Sequence, residues 1–153
     1  MGSRGSEGAV ASPRMWSVLK NYTDAALLFL RITFGTFFIY VHGWPILAGG
    51  LAKWRGLGGA MRHIGINLAP GFWGFLAVSS ETLGCLLFVI GLFFRPSTLF
   101  LFLTMTVAAI SDFDSARGSL HSSFGEASHA TELALVFFAL LFIGPGKFSF
   151  DKG

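Results

Sequence analysis

Apolar residues gather into four long runs in this chain, and polar positions fall mainly between them. The first run covers residues 25–46. Asp24 precedes it, where a helix N-terminus favours an acidic side chain, and Trp44-Pro45 closes it with an interfacial aromatic and a stop. The second run, residues 72–94, is the clearest, with Glu81 as its one charge and aromatics at both ends. Arg95-Pro96 then marks a turn, Pro96 being suited to open the next helix. The third and fourth runs, residues 97–110 and 129–143, are only about 15 residues each, below the ~17–25 that a spanning helix needs. Both helices are therefore expected to extend into the polar loop between them, toward Asp112 on one side and Glu126 on the other. The Gly-rich stretch between the first two runs holds Lys53, Trp54, Arg55, Met61, Arg62 and Ile64, a mixture that suits a short amphipathic segment lying in the membrane interface.

This pattern predicts an all-α fold, an integral membrane four-helix bundle with a short interfacial segment between its first two spans. Residues 1–22 are polar and Gly/Ser-rich without apolar periodicity, and read as a disordered cytoplasmic lead-in to a membrane domain over residues 23–151. Met15 is a plausible natural start within that lead-in. No small-residue cleavage site follows the first apolar run, so no removable signal peptide is expected. Composition agrees. Of 153 residues 53% are hydrophobic and 12% charged, against about 25% charged in a soluble domain, and 18 Phe and 4 Trp leave too little polar surface to cover a soluble globule.

Charge adds orientation and little else. The net charge is +3, but the 11 basic residues are scattered with no basic stripe, which argues against nucleic-acid binding. Arg4, Arg14, Lys20, Arg95, Lys147 and Lys152 fall on one side of the four spans and Lys53, Arg55, Arg62 and Arg117 on the other. This six-to-four excess favours both termini in the cytoplasm. Cys85 is the sole cysteine, which rules out an internal disulfide or a paired-thiol redox centre and leaves it as a small buried hydrophobe.

Ionisable residues inside the spans are the candidate chemistry, because each costs about 2.5–3.5 kcal/mol on insertion scales and is therefore normally paired or functional. Arg31, Gly35, Phe38 and His42 share one face of the first helix, with Gly35 letting a neighbour approach closely. Arg31 stands about 10 Å, Glu81 about 20 Å and His42 about 25 Å from the cytoplasmic end. Glu81 can therefore face this stripe from an antiparallel second span. Two readings stand. In one, Glu81 and Arg31 form a buried ion pair that fixes helix register. In the other, His42, Glu81, Glu132 and His129 line a polar cavity that handles protons or binds a headgroup such as a quinone carbonyl, with Glu81 as the proton carrier. His121, His129 and Glu132, with Asp112 and Asp114, offer a weak outward-facing metal set without a recognised ligand spacing, and His42 with His129 a weak pair of haem ligands.

Several of these pieces occur together in a recognisable order. They are Arg31, Gly35 and His42-Gly43-Trp44-Pro45, then GGAM and GFWGF, Glu81 with Leu83-Gly84, GLFFRP with Arg95, and the closing GPGKFSFD. In this the chain resembles the DoxX family of small bacterial membrane proteins, over about residues 24–151. The resemblance implies a four-helix fold in the bacterial inner membrane and a tie to quinone-linked or oxidative-stress redox complexes, so that lipid and redox-complex proteins are the expected partners. The family's recurring positions correspond to Arg31, His42, Gly43, Glu81, Arg95, Gly144, Pro145, Gly146 and Asp151. Arg95 and Asp151 are expected to form a salt bridge tying the tail to the turn after the second span. Relatives that use paired cysteines are not matched by the lone Cys85, which argues against disulfide exchange. A non-enzymatic scaffold or small transporter, its buried charges fixing helix packing, is the alternative.

Overall fold

The computed structural model describes residues 22–116 and 119–151; all but the last residue of the expected lead-in lies outside them. The described residues form helices and turns without a strand. Four helices are long and apolar enough to cross a membrane: α1 (Thr23–Ala48), α3 (Pro70–Ile90), α4 (Phe94–Ser115) and α5 (Leu120–Ile143). Between α1 and α3 lies α2 (Gly50–Gly58), continued by a tighter turn of helix over Gly59–Ile64. The interfacial segment is thus helical. As expected, α4 and α5 extend well into the polar loop, reaching Ser115 and starting at Leu120. Ser119 caps α5, its hydroxyl accepting from Ser122 N.

The outward faces settle the solvent question. Only 17–33% of each spanning window is buried in the bundle, although mean hydropathy is 1.4–1.7. A helix apolar on its exposed side as well as its packed side needs lipid around it. Exposed Phe29, Phe37, Tyr40, Phe100 and Phe142 supply that surface. The interior is an aromatic cluster in which Phe88 stacks on Phe94 at 5.2 Å, and Phe137 meets Phe34, Phe38 and Phe88 edge-on at 5.4–5.9 Å. Leu101, Met105, Leu133 and Leu140 complete it.

The turn after the second span comes earlier than the sequence suggested. Gly91, at φ +69°, ends α3, and Pro96 already lies in the first turn of α4. Gly91 is needed there for two reasons. Its backbone is left-handed, and a Cβ would sit 2.6 Å from Ser149 Cβ and 2.9 Å from the Arg31 guanidinium.

The tail folds back under this end of the bundle. Arg31 donates through Nη1 to Pro145 O and through Nη2 to Phe148 O at 2.7 Å. Lys147 N donates to Asp24 Oδ1 at 3.0 Å, and Asp151 N to Gly91 O at 2.9 Å. The Asp151 carboxylate accepts from Phe93 N at 3.1 Å and Phe94 N at 2.7 Å, capping the start of α4. Two expectations are corrected here. Arg31 is paired with tail carbonyls and not with Glu81, and Asp151 binds the free amides of a helix start in place of Arg95. Unpaired N–H groups at a helix N-terminus attract a carboxylate directly, with the helix dipole adding to the attraction.

Candidate functional site

The two central candidates, His42 and Glu81, each sit in a single turn of π-helix, Ile39–Gly43 in α1 and Ser80–Gly84 in α3. Such turns carry one residue more than an α-turn and are frequent at functional sites. They pack against each other. A Cβ on Gly43 would lie 2.6 Å from Glu81 O and 2.9 Å from Thr82 Cγ2, so the close approach of the two turns requires glycine there. The stripe on α1 behaves as predicted through Arg31, Gly35 and Phe38, which are buried. At the π-turn the extra residue rotates the helix, and burial passes to Gly43 while His42 turns toward α5.

Glu81 is 2% exposed, its Oε2 has no hydrogen-bond partner, and neighbouring Ser80 Oγ has none either. No cation is ion-paired to Glu81 among the described residues. Buried polar atoms are normally paired, so this carboxyl oxygen and the hydroxyl of the preceding residue are both free to bond a polar ligand. Cys85, one turn on, is fully buried, and its thiol donates weakly to Gly35 O at 3.4 Å.

His42 is sandwiched. Its ring stacks on Phe38 at 4.7 Å and on His129 of α5 at 5.3 Å, and the two Nε2 atoms are 3.3 Å apart. The structure thus joins His42 to His129 and packs the backbone at Glu81 against Gly43. It leaves Glu132 exposed on α5, without a hydrogen bond or ion pair to His42 or Glu81 among the described residues. Nitrogens 3.3 Å apart leave no room for a haem plane between them. His121 is exposed, and no group of three or more metal-ligating side chains occurs among the described residues.

Two features escaped the sequence. The π-turns have no compositional signal. His63 donates through Nδ1 to Asp114 and accepts at Nε2 from Arg62 Nε at 3.1 Å, tying the interfacial helix to the end of α4. Those partners are 51 residues apart, and only the amphipathic character of residues 53–64 hinted that this segment docks. An apolar cavity of about 320 Å³ opens between α2, α3 and α4, lined by Trp73, Leu76, Ala77, Leu103, Thr104 and Val107 among others.

Four apolar spans around a buried polar centre define a multi-pass integral membrane protein. The chain belongs to the DoxX family, whose family model matches residues 26–112, from α1 into the last turn of α4. No curated protein and no solved structure matches it.

Proposed function

We propose that this protein is a subunit or accessory of a membrane redox complex, quinone-linked or serving oxidative-stress defence, with Glu81 and His42 at its polar centre. The observation that carries this reading is the buried, unpartnered Glu81 carboxyl, held in a π-turn against the π-turn of His42. Ser80 and Glu81 offer a hydroxyl and a carboxyl to a quinone carbonyl, and Ala77, four residues before Glu81, lines the apolar cavity that suits an isoprenoid chain. A bound quinone would supply electron transfer coupled to protons. The chain's own part is to orient the headgroup by hydrogen bonds and to hold a proton on Glu81 away from water. Glu132, exposed on α5, serves as an outer proton donor to this centre or faces a partner protein. Membership of the DoxX family supports placement in a bacterial inner membrane, and the Lys/Arg excess supports both termini being cytoplasmic.

The alternative, a scaffold or small transporter whose buried polar groups only fix packing, is favoured by one observation: both Nη atoms of Arg31 are bonded to tail carbonyls. Protein purified in mild detergent and extracted with organic solvent decides between them. Co-purified quinone, reduced in amount by Glu81→Gln at unchanged folded yield, is the expected result. Absence of quinone and of any chromophore, or a Glu81→Gln variant that loses yield but keeps its quinone, establishes the scaffold.

A further inference from the structure

We propose that the groove between the tail and the adjoining ends of α1 and α3 binds an anionic phospholipid, its phosphate at Lys147 and an acyl chain against the two helices. This is independent of the redox reading and of the cavity assigned there to an isoprenoid chain. The groove is open, with a volume of about 450 Å³. Leu28 and Ile32 of α1, Val89 and Ile90 of α3, and tail residues 147–150 form its walls. Its lining holds two cations, Arg31 and Lys147, and no carboxylate among the described residues. Lys147 is exposed, with Nζ 3.4 Å from Asp24 Oδ2, a loose surface pair that leaves ammonium protons for a second acceptor.

Arg31 points to the same ligand independently. Its Nη atoms go to tail carbonyls, its buried Nε has no hydrogen-bond partner, and no carboxylate pairs with it among the described residues. Carbonyl oxygens accept its hydrogens but leave its charge uncompensated, and a cation so placed at the edge of a bilayer attracts an anion from the headgroup layer. The depth fits a lipid. From Asp24, beside Lys147, to Ile32 is eight residues, about 12 Å along α1, so the groove runs from headgroup level in among the acyl chains. Ile32 and Ile90 are exposed along it, and Phe148 and Phe150 are exposed on the tail, where interfacial aromatics belong. A free phosphate would use the two cations and leave these apolar walls uncovered; a phospholipid uses both.

The test is native mass spectrometry of delipidated, full-length protein in mild detergent, titrated with phosphatidylglycerol, with phosphatidylcholine of the same chains, and with inorganic phosphate. The expected result is one phosphatidylglycerol per chain, held about tenfold more tightly than phosphatidylcholine and not displaced by inorganic phosphate. Lys147→Glu should weaken phosphatidylglycerol by about fivefold or more and leave phosphatidylcholine unchanged, whereas Arg55→Glu, on the interfacial helix, should change neither. Ile32→Trp, which fills the groove, should weaken both lipids. Lys147 and Ile32 are exposed, so these variants should fold, and size-exclusion elution checks this. Equal retention of the two lipids, retention unaltered by Lys147→Glu or by Ile32→Trp, or displacement by inorganic phosphate overturns the proposal. A lipid-free dimer that Ile32→Trp dissociates would give the groove to a second copy and overturn it as well.

Discussion

Replacing Arg31, which is 1% exposed, by Met keeps an unbranched apolar stem and removes the guanidinium that holds the Pro145 and Phe148 carbonyls. A hydrogen bond to a charged group contributes about 1.5–3 kcal/mol, so loss of the two should cost about 3–6 kcal/mol of unfolding free energy. That is a large share of the roughly 5–15 kcal/mol typical of a folded domain. The cost should appear as release of the tail. Lys147 is exposed, but its backbone is held to Asp24, so trypsin should cut after Lys147 much faster in Arg31→Met than in the parent. Equilibrium unfolding in mixed detergent measures the energy. The same assay on Glu81→Gln and on the double variant completes a cycle that separates the two views of Arg31. Residues without a shared partner add within about 0.5 kcal/mol, whereas a buried ion pair would give a coupling of about 0.5–3 kcal/mol. A coupling above about 1 kcal/mol, or an Arg31→Met tail as resistant to trypsin as the parent's, would refute the assignment of Arg31 to the tail.

Two further outcomes follow from the same geometry. Gly43→Val should force the paired π-turns apart and cost about 1–3 kcal/mol by overpacking, because even a Cβ there lies 2.6 Å from Glu81 O; a variant as stable as the parent by the same unfolding assay would show that the turns need not touch. Asp151→Ala should remove the cap from α4 and cost about 1 kcal/mol, with faster hydrogen exchange at Phe93 and Phe94, while Arg95→Ala should leave that exchange unchanged; the reverse ranking would restore the Arg95 salt bridge.

The bundle and its polar inventory were legible from the chain because they depend on local sums. Hydropathy adds along a segment, so four spans and the amphipathic arm follow from residues 25–143, and so does the presence of Arg31, His42 and Glu81 at membrane depth. Helical spacing also placed Arg31, Gly35 and Phe38 on the packed face. Partner choice is different, because it depends on rotation about each helix axis and on contacts distant in sequence. Arg31 and Pro145 are 114 residues apart, and His42 and His129 are 87 apart. One extra residue in the π-turn rotates His42 out of the buried face and toward α5, a shift that no periodicity count contains. Asp151 chose backbone amides over Arg95 because the end of α3 and the start of α4 meet there. The sequence thus determined which charges enter the bilayer, and only the tertiary structure decided which of them meet.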